Sequence, residues 1–234
     1  MLAVVIPAHN EETMIAQCLH SVIGSSHHPA LNAESVKIFV VADDCIDQTA
    51  SIAAAMSIHV LHVEHHNVGA ARATGAAAAL LAGARWLAFT DADTTVPRDW
   101  LALQLACNAE VVCGVITIDD WSMHDQAVRD DFITTYRNAS GHRHIHGANL
   151  GIAASAYKRV GGFQSCTSNE DVGLVEALIS AGATIAWSAD VRVTTSARLD
   201  SRAPKGFGEA LLEVSRRIAG AISRRPTTIE DAIK

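Results

Sequence analysis

An α/β fold with a mostly parallel central sheet flanked by helices is what this sequence predicts, on three observations. Short apolar runs alternate with helical patterns through the first half, the mark of parallel strands joined by right-handed crossovers. Polar clusters fall just after the apolar runs, and in such sheets ligands bind outside the carboxyl ends of the strands. The third observation is the run from Trp86 to Pro97, an apolar strand ending in two carboxylates, Asp91 and Asp93. In extended backbone, residues at i and i+2 point to the same side. Two carboxylates about 6 Å apart repel by roughly 3 kcal/mol at an effective dielectric near 20. A cation, an arginine or a shared proton relieves such a pair. Mg²⁺ and Mn²⁺ are commonly held by one or two carboxylates plus the phosphates of a substrate. A solvated Asp-Ala-Asp turn before a helix beginning at Pro97 is the alternative.

The elements follow in chain order. Leu2–Ile6 reads as a first strand that leaves through Pro7 into a helix from about Glu11 to Ile23. Asn10 suits its N-cap, with Glu11 and Glu12 compensating the helix dipole. Lys37–Ala42 is a second strand, followed by Asp43 and Asp44 and a helix from Gln48 to Met56. A turn with a cap explains Asp47 but not both Asp43 and Asp44. A carboxylate at a strand edge can accept from a base N–H or a ribose hydroxyl. His59–Val63 is a third strand, then Asn67–Arg72 opens a helix from Val68 to Leu81. Gly69 lets backbone approach a ligand, and a helix N-terminus favours anions. Arg72 opposes the dipole there, a mismatch that a diphosphate or a carboxylate would repair. The GxGxxG fingerprint is absent, so a dinucleotide-dependent dehydrogenase is poorly supported. Trp86–Thr90, a helix from Pro97 to Asn108 and the strand Val111–Ile118 complete the first half.

After Ile118 the pattern breaks into a polar stretch, 119–146. His146–Ile152 reads as a strand, followed by a short helix, a Gly161-Gly162 turn and a loop leading into a helix over Ser168–Gly182. Thr184–Trp187 and Val191–Thr195 form one last strand or two short ones. Phe207, Leu211, Val214, Ile218 and Ile222 recur at helical spacing between Gly206 and Ser223. No linker or repeat interrupts 1–234, so a single domain is expected: 1–118, 119–205 and a C-terminal helix over 206–234.

The 234 residues, 49% hydrophobic, suffice for one sizeable core. A net charge of −7 argues against a general nucleic-acid binder. Five cysteines without a CxxC pair, no membrane span and no leader make a reducing cytoplasm the expectation. His142, His144 and His146 would share a face, but no carboxylate or cysteine completes a zinc spacing. Arg216, Arg217, Arg224 and Arg225 leave two readings for the last helix. An ordinary docking helix or dimer contact is favoured over peripheral membrane binding.

Four motifs in order resemble the nucleotide-binding half of family 2 glycosyltransferases, with the GT-A (nucleotide-diphospho-sugar transferase) fold. They are Pro7-Ala-His-Asn-Glu-Glu12, Asp43-Asp44, Asn67-Val-Gly-Ala-Ala-Arg72 and Asp91-Ala-Asp93. His146-Gly-Ala-Asn-Leu with Val160-Gly-Gly-Phe163 resembles the acceptor-side strand and turn, and Ser168–Leu174 the Glu-Asp motif, so the match covers roughly residues 3–175. The resemblance implies that Asp43 contacts the nucleoside base, with Pro7, Ala8 and Glu11 lining the same pocket. Gly69 and Arg72 would lie beside the nucleotide, Arg72 near its phosphates. Asp91 and Ala92 would face the ribose or donor sugar, and Asp93 would ligate Mn²⁺ or Mg²⁺. Asp171 looks like the general base, with Glu170 its neighbour. His146 and Asn149 would touch acceptor or sugar, or only satisfy backbone at a strand edge.

The implied activity is inverting, metal-dependent transfer of one sugar from a nucleotide-diphospho-sugar to a hydroxyl acceptor. UDP-sugars are favoured as donors and GDP-sugars are the second choice. A non-catalytic nucleotide-sugar module and a nucleotidyltransferase of related sheet architecture are the alternatives. Two departures stand out: no Gln-x-x-Arg-Trp motif of processive members, and no histidine after His146 to serve as a further metal ligand. Arg192, Arg198, Arg202 and Lys205 follow instead, and 195–202 reads either as a basic lid over the diphosphate or as solvated loop charges.

Overall fold

In β1 (Leu2–Ala8) all seven residues are buried, as a strand covered on both faces requires. It pairs in parallel with β2 (Val36–Asp43) on one side and β4 (Trp86–Phe89) on the other. β3 (His59–Val63) extends the sheet in parallel beyond β2. The crossovers are α1 (Ile15–Ser26), α2 (Thr49–Ala55) and α3 (Val68–Leu81). A two-residue strand, β5 (Thr94–Thr95), and α4 (Trp100–Ala106) follow β4, before β6 (Val111–Thr117) and α5 (Gln126–Thr135). Then come β7 (Leu150–Ala153), α6 (Ala154–Arg159), α7 (Glu170–Ser180), β8 (Ile185–Thr195) and α8 (Phe207–Ser223). The strand order is β3-β2-β1-β4-β7-β6-β8-β5. β7 is antiparallel to both its neighbours, β6 and β8 are parallel, and β5 pairs antiparallel with β8. The sheet is therefore mostly parallel, as the sequence predicts.

This computed structural model describes residues 1–164, 169–199 and 207–223. They divide into one compact unit of Met1–Asp119 with Asn138–Ser196, and a second of Asp120–Arg137 with the chain from Ala197 onward. In the second unit Phe132 stacks on Tyr136 at 4.7 Å and meets Phe207 edge-on at 5.9 Å. Arg202, Lys205, Arg224 and Arg225 lie outside the described residues, and so does the end of the candidate lid, 200–202. Among the described residues no helix is long and apolar enough to cross a membrane.

Several boundaries differ from the sequence reading. α1 begins at Ile15, because the Glu11 carbonyl accepts the N–H groups of Met14 and Ile15 in a turn that precedes the helix. α4 begins at Trp100, whose N–H closes a turn on the Pro97 carbonyl at 3.1 Å. Residues 147–149 form a 3₁₀ turn rather than strand, closed by Asn149 N–H on the His146 carbonyl at 2.9 Å. The two candidate last strands are one, β8, whose register against β6 slips between Gly114 and Val115. Within the polar stretch 119–146, α5 is a helix whose one buried side chain is Val128.

α3 lies unusually close to the sheet. A Cβ added at Gly75 would sit 2.9 Å from the Val41 Cγ2. The buried small residues Ala71, Gly75, Ala76 and Ala79 permit that approach. The same closeness sinks Arg72, in the first turns of α3, into the carboxyl edge of the sheet at 4% exposure.

Candidate active site

The loops after β1, β2 and β3 meet at one edge. Asp43, the last residue of β2, is buried, and its carboxylate is taken up by backbone. Oδ1 accepts the N–H groups of His65 at 2.6 Å and His66 at 3.0 Å, and Oδ2 accepts that of Asn67 at 3.0 Å. Asn67 in turn caps α3, its Oδ1 accepting the Ala70 N–H at 2.9 Å. Asp43 is thus the clasp of the β3–α3 loop. Asp44 is the carboxylate that faces outward, its side chain 40% exposed and its Oδ2 3.3 Å from His66 Nδ1.

Pro7 and Ala8 end β1, both buried, and the Ala8 carbonyl accepts the Cys45 thiol at 3.3 Å. Glu11 is buried at 5% exposure and its N–H donates to Thr49 Oγ1 at 2.7 Å. Asn10 Oδ1 accepts the Ile46 N–H at 2.9 Å, and Asp47 accepts N–H groups from Glu12 and Thr49. Asn10, Asp44 and His66 all adopt left-handed backbone, with φ of 54°, 49° and 49°. Such conformations cost free energy in non-glycine residues and cluster where function needs them.

Deeper in, Arg72 joins two carboxylates. Nη2 lies 2.5 Å from Asp91 Oδ1, and Nη1 donates to Glu170 at the start of α7. Of the two partners left open for Arg72, the structure supplies carboxylates. Its guanidinium also rests on the backbone of Gly147, where any Cβ would collide with it. Gly69 is packed similarly, since a Cβ there would sit 3.0 Å from Glu170 Cβ. Burial by itself would lower the Arg72 pKa, but Asp91, Glu170 and Asp171 outweigh it and hold the proton more firmly. Burial raises the Glu170 carboxyl, Arg72 opposes that rise and Asp171 adds to it.

Asp171 is half-buried. Its Oδ2 accepts the Gly147 N–H at 2.7 Å and its Oδ1 the Val172 N–H at 2.8 Å. Asn169 precedes the pair in left-handed backbone, φ 58°, which turns the chain into α7. Asp91 and Asp93 are half-buried, Ala92 between them is buried, and Thr94 Oγ1 lies 3.4 Å from Asp93 Oδ1. The buried Cys18 thiol donates to the Asp91 carbonyl at 3.3 Å. Burial pushes its pKa up, and Asp93, Asp91 and Glu11 push it further. One buried sulfur thus registers the field of three carboxylates.

His146 is pushed down to about 3, by burial first and then by His144 and His142, against the pull of Asp91. The three rings stack in succession, at 5.4 and 5.8 Å between centroids. Asn149 is fully buried, its side chain engaged by the protein itself. Its amide donates to the Val115 and Val191 carbonyls at 2.8 and 2.9 Å and its Oδ1 accepts from Trp100 Nε1 at 2.9 Å. It pins the β6–β8 irregularity.

Among the described residues no three His, Cys, Asp or Glu side chains converge as a ready-made metal site. The donor set nonetheless fits a hard divalent cation that takes the rest of its shell from phosphate oxygens. Asp91 and Asp93 sit at one strand end, close enough to the buried Cys18 thiol that both raise its pKa. Asp44, His66 and Gly147 are the members of the site that the motifs did not single out for a role. Asp44 stood beside Asp43 in the sequence, but only the loop's hydrogen bonds separate clasp from open carboxylate.

The model of the family described as Glycosyl transferase family 2 matches residues 3–159. No curated protein matches the chain. Among solved structures, S. aureus TarS 1–349 in complex with UDP-GlcNAc aligns with a TM-score of 0.67 at 17% identity, covering 97% of this chain and 67% of that one. The mannosyltransferase PcManGT from Pyrobaculum calidifontis, in complex with GDP-Man and Mn²⁺, aligns with a TM-score of 0.62 at 17% identity, covering 97% and 65%. The chain spans about two thirds of the length of each of these neighbours.

Proposed function

The chain belongs to glycosyl transferase family 2, with the GT-A fold, and on that premise we propose an inverting, metal-dependent transfer of a single sugar from a nucleotide-diphospho-sugar to a hydroxyl acceptor. The observation that carries the reading is the ion-paired chain Asp91–Arg72–Glu170, centred on the buried Arg72, with Asp171 beside it. It fixes a strand-end carboxylate and a helix-start carboxylate to one cation. Asp171 is then held at a set place relative to the Asp91-Ala92-Asp93 turn.

In this reading Asp44 takes the base N–H, because Asp43 is committed to its loop, and Pro7, Ala8 and Glu11 wall the pocket. Asp93, with Asp91, would hold Mn²⁺ or Mg²⁺, which when bound stabilises charge on the departing diphosphate. Asp171 accepts the proton of the acceptor hydroxyl. The acceptor oxygen bonds to the anomeric carbon as the bond from that carbon to the diphosphate breaks. The electron pair leaves on the diphosphate oxygen, and a single displacement inverts the centre. Gly147 and Val172 N–H groups aim the Asp171 carboxylate, and Glu170 is anchored below it by Arg72. His146, kept neutral, lines the site without adding a competing cation. The free thiols of Cys18, Cys45, Cys107 and Cys113 support a reducing, cytoplasmic setting.

UDP-GlcNAc and GDP-Man, the ligands of the two neighbours, make UDP- and GDP-sugars the first donors to try. Calorimetric titration and donor turnover with and without Mn²⁺ test the proposal. Asp171→Asn should keep donor binding and lose turnover by about 10²–10⁴-fold. A non-catalytic module would show donor binding with no turnover in the wild type. Absence of any Mn²⁺-dependent turnover sinks the enzymatic reading.

A further inference from the structure

We propose that Asn10, together with His9, is a positioning residue for Asp44: the pair clamps the turn from Asp43 to Ile46 so that the Asp44 carboxylate meets the nucleobase, an inference that rests on the donor-site reading above. Asn10 does not cap α1, whose N-cap is Met14. Its side chain reaches the β2–α2 loop instead. Oδ1 accepts the Ile46 N–H at 2.9 Å, and Nδ2 lies 3.2 Å from His9 Nε2. His9 Nδ1 closes the path on the Asp43 carbonyl at 2.7 Å. Two side chains that follow β1 therefore hold both ends of the turn that follows β2. The middle is tied down as well. The Cys45 thiol donates to the Ala8 carbonyl at 3.3 Å and accepts the Asn10 N–H at 3.5 Å, while the Asp44 N–H donates to the Val63 carbonyl at 2.8 Å.

The roles along the clamp are forced by what each group can do. A backbone N–H only donates, so the Asn10 amide turns its oxygen to Ile46 and its nitrogen to His9. That nitrogen also only donates, so His9 Nε2 carries a lone pair. The Asp43 carbonyl only accepts, so the ring proton sits on Nδ1. One tautomer and one amide orientation satisfy all three contacts, and every other choice breaks at least one. The turn gains little from packing. Ile46 is 88% exposed, so no apolar burial anchors that end. Asp44 adopts left-handed backbone, φ 49°, which costs free energy in a residue with a side chain. Without the clamp the carboxylate samples other directions, and the apparent affinity for the base falls with the fraction of molecules that still present it.

The test is calorimetric titration of UDP and of GDP, with Mn²⁺ present, into wild type, Asn10→Gly, Asp44→Gly and the double variant. Glycine keeps the left-handed backbone of both positions, φ 54° and 49°, at no steric cost, and circular dichroism checks each fold. For the nucleotide that wild type binds more tightly, Asp44→Gly should weaken binding by about tenfold or more, as loss of a hydrogen bond to a charged group allows. Asn10→Gly should weaken it by about fivefold, the cost of a turn that presents the carboxylate about one fifth of the time. In the Asp44→Gly background the same change should cost under about twofold, because no carboxylate is left to position. His9→Ala, at an exposed ring, repeats the comparison from the other end of the clamp and replaces Asn10→Gly if that chain does not fold. An Asn10→Gly chain that binds as wild type does, or whose loss persists in full beside Asp44→Gly, overturns the clamp. A wild type that binds neither nucleotide, or an Asp44→Gly chain that binds as tightly as wild type, overturns the donor-site reading instead.

Discussion

Replacing Arg72 by methionine separates two accounts of that residue, a phosphate ligand or a buried strut. The guanidinium is 4% exposed and bonded to Asp91 and Glu170. Each pair, at a charge separation of about 4 Å, is worth about 4 kcal/mol at an effective dielectric of 20. The Asp91 contribution is smaller, because its side chain is 34% exposed and water screens it. Dehydrating Arg72 and Glu170 offsets much of the rest. Removing one partner of a buried pair nevertheless strands the other, at a cost of about 3–5 kcal/mol. That is a large share of the roughly 5–15 kcal/mol that keeps a domain folded. The sign with pH follows from Glu170, whose carboxyl burial already raises. Without Arg72 its folded pKa rises further, so the penalty is full above that pKa and fades as pH falls and the group takes a proton. Urea unfolding of wild type and Arg72→Met at pH 7 and pH 5 should therefore show a larger gap at pH 7. Adding Glu170→Gln to the variant should recover about half of the loss at pH 7. A gap below about 1 kcal/mol, with diphosphate binding weakened instead, would refute the strut and restore the phosphate ligand.

Two further outcomes follow from the site. Asp93→Asn should weaken Mn²⁺ binding in the presence of UDP by about 10-fold or more while leaving the melting temperature within a few degrees, because Asp93 is the proposed metal ligand and is only half-buried; isothermal titration of Mn²⁺ checks it, and unchanged affinity refutes the assignment. His146, pushed down to about 3, stays neutral in the folded chain while an unfolded chain takes up its proton near 6.5. Its contribution is present above pH 6.5 and lost as pH falls through that window. Stability at pH 5 should be about 2 kcal/mol below that at pH 7. His146→Gln should flatten the slope, and equal slopes in both chains would show that other groups set it.

What the sequence makes legible here is set by which interactions are local. The strands are legible because burial on both faces demands unbroken apolar runs, as in Leu2–Ile6. α3 is legible to the residue, Val68–Leu81, because Asn67 is a side-chain cap acting across three positions. α5 is not, since its partners lie far along the chain and Val128 is its one buried side chain. The same limit governs the site. Residue type places Asp43, Asp44, Arg72 and Asp91 at the sheet edge, but their partners come from 19 to 98 positions away. Asp43 and Asp44 are chemically identical, and the difference between a clasp and an open carboxylate lies in three N–H groups donated by a loop that starts some twenty residues later. Arg72 is the converse case. Its misfit with the helix dipole is readable locally and demands an anion, while only the packing of α3 over Gly75 decides that protein carboxylates provide it. A cation so placed cannot reach out to a substrate without stranding Glu170. In the proposed mechanism its contribution to transfer is therefore the position of Asp91 and, through Glu170, of Asp171. Exchanging it for lysine, a point charge without the guanidinium fork, should lower the turnover number more than donor affinity.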